Sequence, residues 1–391
     1  MNREDARARV ASLLAEDVDA AVARGRSRFQ DVAARCSDAI VLFGSGALGR
    51  DCLARLRAAG RTPVAFADNN RTAWGREVEG VPVLSPADAA ALYPDALFVA
   101  TVYTNVPVLH QLAGLDVQGV SFPSLAWSLS ATFLPFWAVD LPLGIHRERD
   151  AVLSAVDLWA DDESRAEYAG QLAWRTSLSP AALPPHRPAA DLYFPDDLMA
   201  PLPDEAFVDC GAFDGDTVRR FLDRRAGRFG RIVAFEPDAD TFPRLRQFVA
   251  SLDAGIASRV SVVHSALGAG TGTIAFSNTG TVASRSGQGS AEAPLVSLDD
   301  ALAGQPVTFI KIDVEGAEPE VLRGAARILR ERRPVVAACL YHRQEDLWRI
   351  PRLLRDLSPD HRLYLRRYSD ECWELVCYAV PDERLVDAGR P

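Results

Sequence analysis

The chain contains two copies of one local pattern: an apolar run of strand type, a glycine-rich turn, an amphipathic helix, and a second apolar run that ends in an acid. The first copy spans residues 39–68 and the second spans residues 206–236. In such an alternation the helix packs on the face of a sheet whose strands run parallel. The pattern therefore predicts an α/β protein with doubly wound sheets, and it places ligand sites at the carboxyl ends of the strands.

The first copy has the spacing of a dinucleotide fingerprint. Its glycines are Gly44, Gly46 and Gly49, and the strand that follows the helix ends at Asp68. In the functional interpretation, the turn binds the phosphates of NAD or of a nucleotide sugar, and Asp68 binds a ribose. In the alternative interpretation, the three glycines only allow the strand and the helix to pack tightly. The sequence leaves both interpretations open.

The spacing of apolar residues and prolines divides the 391 residues into four segments. Residues 1–36 are predicted to be helical, and residues 37–125 form a smaller Rossmann-like α/β domain. Residues 126–203 combine helical periodicity with a proline-rich stretch, which predicts a helical bridge and an irregular entry into the last domain. Residues 204–391 form the larger α/β domain.

The second copy lacks the fingerprint spacing of the first. In "FVDCGAFDGDT" the strand ends near Asp209, and in "VAFEPD" the next strand ends at Glu236. A carboxylate at the second strand end can accept hydrogen bonds from both hydroxyls of a ribose, and Asp209 can orient an amino group. No pyrophosphate cradle is present. A ligand with an amino-acid end and a ribose end, S-adenosylmethionine, fits this pattern better than NAD.

The chain has a single lysine, Lys311, in the stretch "FIKIDVEGAE". Strand alternation places Phe309, Lys311 and Asp313 on one face. Lysine is more compact than arginine and changes its pKa when desolvated. We expect Lys311 either to keep Asp313 ionised as a proton acceptor or to contact an acceptor oxygen as it becomes an alkoxide. The alternative is a buried ion pair that only fixes the end of the strand.

His342 follows the apolar run "VVAACLY" and is expected at the same edge of the sheet. It is a candidate general base, because histidine titrates near neutral pH. Glu315, on the turn after Asp313, is a further candidate for the chemistry. Asp313, Glu315 and His342 together could instead ligate a divalent metal that orients the acceptor. We predict no metal, since no dense ligand motif requires one.

Residues 276–302 are rich in serine, glycine and threonine. The segment is too long for a simple turn, so it is either a β-excursion or a lid over the acceptor. Ser284 and Arg285 are the polar residues expected nearest to a sugar. A solvated loop is the equal alternative.

The composition argues against several classes of partner. The formal charge is −10, and no basic stripe provides a surface for nucleic acid. No apolar run reaches the roughly 18–20 residues that span a bilayer. The six cysteines have no paired spacing, which is typical of a reducing cytoplasm. We therefore expect a cytoplasmic protein without a nucleic-acid partner or a membrane span.

Several stretches resemble FkbM-family methyltransferases in order and spacing: "FVDCGAFDGDT", "VAFEPD", "SALG", "SLDDAL", "FIKIDVEGAEPEVLRGA" and "CLYHRQEDLWRIP". The similarity covers residues 204–380 and is greatest to the branch that has an added N-terminal domain. It implies a class I methyltransferase fold, S-adenosylmethionine as donor, and a hydroxyl acceptor on a sugar or polyketide. One departure is the acidic loop 213–215, which many relatives lack. The residues expected to hold the donor are Asp209, Gly211, Ala212, Phe213, Gly215, Thr217, Glu236, Pro237, Ser265 and Ala266.

The sequence thus predicts an S-adenosylmethionine-dependent O-methyltransferase that acts on a carbohydrate, a nucleotide sugar or a related natural product. The expected partner is a small-molecule or saccharide acceptor, and a homo-oligomer is left open. One alternative is a nucleotide-binding regulatory protein whose methyltransferase fold is not catalytic. Another is a sugar-nucleotide oxidoreductase that acts through the first glycine turn. A metal-assisted methyltransferase is the third.

Overall fold

Two capped helices open the chain in a computed structural model that describes residues 1–276 and 291–386. They are α1 (Arg3–Ala15) and α2 (Val18–Ala33). The side chains of Asn2 and Asp17 accept hydrogen bonds from backbone N–H groups in the first turns, which would otherwise lack partners. The predicted lid residues Ser284 and Arg285 lie outside the described residues.

The first α/β unit is a six-stranded sheet with the order β3-β4-β2-β1-β5-β6. All neighbouring strands are parallel except the β3–β4 pair. The strands are β1 (Ile40–Phe43), β2 (Ala65–Ala67), β3 (Glu77–Val78), β4 (Val81–Leu84), β5 (Leu97–Ala100) and β6 (Gly119–Ser121). The helices are α3 (Ala47–Ala58), α4 (Pro86–Leu92), α5 (Asn105–Gly114), α6 (Phe122–Ser128) and α7 (Ser130–Phe133), with a 3-10 turn at Arg71–Ala73.

A helical bridge follows, as the spacing of residues 126–203 predicts. It consists of α8 (Leu143–Arg147), α9 (Arg149–Ala155), α10 (Asp162–Ser177) and 3-10 turns at Val156–Leu158, Pro180–Ala182 and Ala189–Asp191. Helix α10 contributes Leu172 to the core of the C-terminal unit and Trp174 to the core of the N-terminal unit. The bridge therefore ties the two units together by packing rather than acting as a free linker.

The two opening helices pack on different units. Ala6, Val10 and Leu14 of α1 share a core cluster with the C-terminal sheet, whereas Phe29 of α2 packs with the N-terminal sheet. Residues 1–36 are helical as expected, but they do not act as one packing unit. The three boundaries between the four predicted segments stay predictions.

The C-terminal unit contains a seven-stranded sheet with the order β15-β16-β14-β13-β7-β8-β9 and a small sheet with the order β10-β12-β11. In the large sheet, β16 is antiparallel to both of its neighbours, and the remaining pairs are parallel. This order confirms the predicted class I methyltransferase fold. The strands are β7 (Ala206–Cys210), β8 (Arg231–Phe235), β9 (Val260–Val263), β10 (Ala266–Leu267), β11 (Gly272–Phe276), β12 (Ala291–Val296), β13 (Phe309–Ile312), β14 (Val335–Cys339), β15 (His361–Arg367) and β16 (Leu375–Pro381).

Helices cover both faces of this sheet. Ile310 and Ile312 of β13 pack on one face with Trp348, while Phe309 packs on the other face with Phe207. The helices are α11 (Asp216–Arg225), α12 (Phe242–Ala250), α13 (Ala254–Ala257), α14 (Leu298–Ala301), α15 (Glu318–Gly324), α16 (Ala326–Arg332) and α17 (Asp346–Leu357), with a 3-10 turn at Asp382–Arg384. Within the described ranges, no helix combines the length and the apolar character needed to cross a bilayer.

Candidate active site

The carboxyl ends of β7, β8 and β13 meet at one edge of the large sheet. Strand β7 turns there at Gly211, whose φ of +81° lies in the left-handed region that favours glycine. A Cβ atom on Gly211 would lie 1.9 Å from the backbone oxygen of Asp313. Only glycine therefore lets the ends of β7 and β13 approach so closely, and the two strand ends form one surface.

Glu236 follows β8 directly and holds the glycine turn. Its carboxylate accepts hydrogen bonds from the backbone N–H groups of Phe213 and Asp238, both at 2.8 Å. Burial raises the pKa of Glu236 to about 7, and the two backbone donors offset this only in part. Since a carboxylate can accept more than two hydrogen bonds, Glu236 can still receive a ligand hydroxyl.

Lys311 extends from β13 across the end of β7. Its Nζ lies 3.1 Å from Asp209 Oδ1 and 4.0 Å from Asp313 Oδ2, and it donates to the Gly211 carbonyl oxygen at 2.7 Å. Burial lowers the pKa of Lys311, but the two carboxylates outweigh burial and raise it. Lys311 is therefore a fixed cation rather than a lysine that desolvation allows to titrate.

Asp209 is completely buried behind this lysine. Burial raises the pKa of Asp209 to about 6, although the attraction of Lys311 acts in the opposite direction. The predicted contact between Asp209 and an amino group stays a prediction, and the burial of the side chain argues against a direct contact.

Asp313 lies where the strand end meets the cavity, with 20% of its side chain exposed. The hydroxyl of Tyr193 donates to its Oδ2 at 2.9 Å, and the hydroxyl of Tyr341 lies 3.2 Å from both oxygens. Burial would raise the pKa of Asp313, but Lys311 and His342 outweigh burial and lower it. The carboxylate is thus a permanently charged anchor held by two tyrosines.

His342 is enclosed by carboxylates, and its side chain has no exposed surface. Its Nδ1 lies 2.7 Å from Glu318 Oε1, and its Nε2 lies 3.2 Å from Asp313 Oδ1 and 3.5 Å from Glu315 Oε2. Burial lowers the pKa of His342, but these acids raise it well above the usual value. A general base must be neutral and within reach of the substrate, so this environment does not favour His342 in that role.

These strand ends border a cavity of about 380 Å³. Of the residues predicted to hold the donor or to take part in the chemistry, four do not line it: Asp209, Ala212, Gly215 and His342. The structure brings the others together in its wall, which contains Gly211, Phe213, Thr217, Glu236, Pro237, Ser265, Ala266, Lys311, Asp313 and Glu315.

The chain is similar to known methyltransferases in part of its sequence and in its fold. Residues 209–372 match the model of the methyltransferase FkbM domain. The matched stretch is 164 of the 391 residues and lies within the C-terminal α/β unit (residues 204–391), which we call the FkbM domain. Over the whole chain, the fold is similar to that of methyltransferase FkbM from Methylobacillus flagellatus KT, with a TM-score of 0.74 and 23% sequence identity over 96% of this chain and 99% of that chain. The shared fold therefore extends through the N-terminal sheet and the bridge.

Two other solved structures are much less similar. UDP-D-quinovosamine 4-dehydrogenase from Vibrio fischeri has a TM-score of 0.20 and 17% identity, over 24% of this chain and 84% of that chain. Precorrin-6y C5,15-methyltransferase from Geobacter metallireducens GS-15 has a TM-score of 0.30 and 14% identity, over 46% of this chain and 81% of that chain. Neither similarity is strong enough to support an argument. A search of the curated proteins found no match.

Several residues in the wall of the cavity were not predicted from the sequence. Glu374 and Trp373 come from the connection between β15 and β16, whereas Tyr103 and Trp137 come from the first 140 residues. The rings of Tyr103 and Trp373 meet edge to face at 4.8 Å. An acid beside a tryptophan at a hairpin end was the available sequence signal for Trp373 and Glu374. No local sequence pattern identified Tyr103 or Trp137 as a residue of the cavity wall.

The glycine turn of the N-terminal sheet has a different environment from the turn of the FkbM domain. Both the backbone N–H and the hydroxyl of Ser45 donate to Asp68 Oδ2, at 2.8 and 2.5 Å, and Asn70 N donates to its Oδ1 at 2.8 Å. A Cβ atom on Gly49 would lie 1.9 Å from the Gly44 carbonyl oxygen. These contacts fit the tight-packing interpretation, and a nucleotide at this turn stays a prediction.

Proposed function

We propose that the chain is an S-adenosylmethionine-dependent O-methyltransferase whose acceptor is a hydroxyl of a carbohydrate, a nucleotide sugar or a related natural product. One observation carries the proposal. A single cavity has the glycine turn and Glu236 of an FkbM domain in its wall, together with carboxylates and aromatic rings from both units of the chain. Such a cavity can hold a donor and an acceptor side by side, which is the main requirement for group transfer.

The donor half of the wall fits S-adenosylmethionine. Gly211 lines the cavity at the turn after β7, and Glu236 has accepting capacity for ribose hydroxyls. Thr217 lies in the first turn of α11, whose N-terminal end favours a carboxylate. When bound, the cofactor supplies an activated methyl group. Lys311 keeps the Gly211 carbonyl and the Asp313 carboxylate in place between the two halves.

The acceptor half combines aromatic rings with carboxylates. Tyr103, Trp137 and Trp373 line this part of the wall, together with Asp313 and Glu374. Flat apolar rings suit the C–H faces of a sugar, and a few placed carboxylates accept hydrogen bonds from its hydroxyls. Because Tyr103 and Trp137 come from outside the FkbM domain, we propose that the N-terminal part of the chain selects the acceptor.

We propose that Glu374 accepts the proton of the acceptor hydroxyl. It lines the cavity, and its Oε2 is buried with no hydrogen-bond partner among the described residues. Burial, together with the nearby Asp313, raises the pKa of Glu374 to about 7, where a general base works best near neutral pH. Asp313 is a weaker base than Glu374, because two tyrosine hydroxyls and Lys311 stabilise its charge.

The proposed site of action is the cytoplasm. All six cysteines are free, and such usage is typical of reducing compartments. The acceptor is a small molecule or a saccharide, since the cavity has the size of a small-molecule site.

Calorimetry and methyl transfer test the proposal. The protein should bind S-adenosylmethionine and S-adenosylhomocysteine, and it should transfer a labelled methyl group to a member of a panel of sugars and nucleotide sugars. Glu374→Gln should reduce turnover about a hundredfold or more with unchanged donor affinity, the usual contribution of a general base. Glu320→Gln, an exposed acid on α15, is the matched control. A folded protein that does not bind the donor would refute the proposal.

A further inference from the structure

Three carboxylates face a single imidazole beside the acceptor half of the cavity. His342 Nδ1 lies 2.7 Å from Glu318 Oε1, while His342 Nε2 lies 3.2 Å from Asp313 Oδ1 and 3.5 Å from Glu315 Oε2. An imidazole offers at most two N–H donors, one on each nitrogen. One nitrogen therefore faces two anionic oxygens that a single proton cannot satisfy fully.

The Nε2 atom of His342 indicates a missing ligand. The side chain has no exposed surface, and neither Nε2 nor Nδ1 makes a hydrogen bond of good geometry to a described residue despite the short distances. Nδ1 faces one carboxylate at 2.7 Å, whereas Nε2 faces two. A buried polar atom without a partner costs free energy. A cation between this nitrogen and the two carboxylates would remove that cost and would also separate the negative charges.

We propose that Asp313, Glu315 and His342 bind one divalent transition-metal ion of the Mn²⁺ or Fe²⁺ type. One ligand atom from each residue lies within 4.8 Å of the others. Metal–ligand bonds of about 2.1 Å place neighbouring ligand atoms about 3.0–3.4 Å apart. The Nε2 distances of 3.2 and 3.5 Å are close to this range. Two carboxylates with one imidazole form a mixed oxygen and nitrogen set that suits such ions.

Glu318 provides the outer contact that metal-binding histidines usually have. Its Oε1 also accepts hydrogen bonds from the backbone N–H groups of Val314 at 2.9 Å and Gly316 at 3.3 Å, so its position is fixed. A carboxylate 2.7 Å from Nδ1 favours the proton on that nitrogen and leaves Nε2 as the electron-pair donor. Glu318 is therefore a positioning residue, and His342 is the ligand.

The ion would be reached from the cavity. Asp313 and Glu315 line the cavity and have 20% and 21% of their side chains exposed, whereas His342 closes the site from behind. Coordination positions on the cavity side would remain open to an acceptor oxygen. In this respect the inference rests on the proposed function: the ion binds the acceptor hydroxyl and lowers its pKa, the proton passes to Glu374, and no electron is transferred.

The competing explanation is a protonated imidazole held by acids, with no metal. Titration of full-length, chelator-treated protein with Mn²⁺, followed by the electron paramagnetic resonance signal of free Mn²⁺, separates the two. We expect one Mn²⁺ per chain. His342→Gln should abolish this site, and Glu318→Gln should weaken it about tenfold, as for other outer contacts of metal ligands. Glu320→Gln, an exposed acid on the same helix as Glu318, should bind like the wild type.

The Co²⁺ form provides a second readout that does not depend on activity. Its visible spectrum should show nitrogen ligation in the wild type and lose this feature in His342→Gln, with folding checked by circular dichroism. Absence of stoichiometric binding, or equal binding in all variants, would overturn the metal site. Donor affinity is measured separately: Mn²⁺ binding without donor binding would refute the proposed function alone, and the reverse result would refute the metal site alone.

Discussion

The glycine turns of the N-terminal sheet and of the FkbM domain have a similar backbone arrangement. They differ in the covering residue, by which we mean the residue whose side chain contacts the carbonyl oxygens of the turn. In the N-terminal sheet, the Thr101 hydroxyl after β5 lies 3.0 Å from the carbonyl oxygens of Phe43 and Gly44. In the FkbM domain, Lys311 Nζ on β13 lies 3.5 and 2.7 Å from the corresponding carbonyl oxygens of Cys210 and Gly211. Thr101 directly follows β5 and Lys311 lies within β13, and each of these strands pairs in parallel with the first strand of its unit.

This difference in covering residue changes the chemistry at the strand ends. A neutral hydroxyl shares its single proton between two carbonyl oxygens and attracts no acid, so the N-terminal turn is closed by its own contacts. A buried ammonium also needs counter-charges, and it has them in Asp209 and Asp313. One lysine therefore accounts for two carboxylates at the strand ends, of which Asp313 lines the cavity. The same strand–turn–helix arrangement is therefore closed by its own contacts where the covering residue is Thr101, and gathers carboxylates where it is Lys311.

The largest expected effect is on stability. Lys311→Met leaves Asp209 buried without its cation, so we expect the free energy of unfolding to fall by about 3–5 kcal/mol. Thr101→Val removes only a neutral hydrogen bond and should cost about 1 kcal/mol. Urea denaturation followed by tryptophan fluorescence measures both. Equal losses of unfolding free energy in the two variants would contradict the proposed difference between Lys311 and Thr101.

The next largest effect is on donor binding, and it distinguishes Glu236 from Asp68, the acids at the two corresponding strand ends. Glu236→Gln should weaken S-adenosylmethionine binding by about tenfold to a hundredfold, the loss of one or two hydrogen bonds to a charged group. Asp68→Asn should leave the donor affinity unchanged. Calorimetry on the two variants decides this. A similar loss in both variants would mean that the donor site is not confined to the FkbM domain.

A smaller effect should appear in the pH dependence of donor binding. The pKa of Glu236 is raised to about 7, and ribose hydroxyls need the ionised, accepting form. Donor affinity should therefore rise as the pH passes the pKa of Glu236. The rise should be up to about tenfold from one pH unit below this pKa to the pH at which Glu236 is fully ionised. The donor's own α-amino group, with a pKa of about 7.7–8.0, also titrates in this range. Glu236→Gln retains that contribution, so equal pH profiles for variant and wild type would contradict the assignment.

The smallest expected effect concerns Gly46. A Cβ atom there would meet nothing within 4 Å, so Gly46→Ala should change the free energy of unfolding by less than about 0.5 kcal/mol. Thermal shifts with NAD(H) and nucleotide sugars test the open question about this turn. A ligand-induced shift in the wild type that disappears in Gly46→Ala would show that the N-terminal turn also binds a nucleotide.

The sequence by itself determined the sheets, the glycine turns and the acids at the strand ends. These features depend on local periodicity and on the conformational freedom of glycine, which are present in any short stretch of the chain. The burial of Ile310 and Ile312 on the face opposite Phe309 follows from alternation alone. The placement of Glu236 beside the Gly211 turn follows from the strand–turn–helix order.

Only the tertiary structure decided which groups meet Lys311, His342 and the acceptor half of the cavity. Strand alternation places Asp313 on the same face as Lys311, but the ammonium lies closer to Asp209, which is on the adjacent strand. His342 was expected to be a general base at the edge of the sheet, yet its three acid neighbours enclose it. Glu374 and Tyr103 reach one cavity from positions more than 200 residues apart. Such encounters depend on how the two sheets and α10 pack, and no local pattern in the sequence encodes that packing.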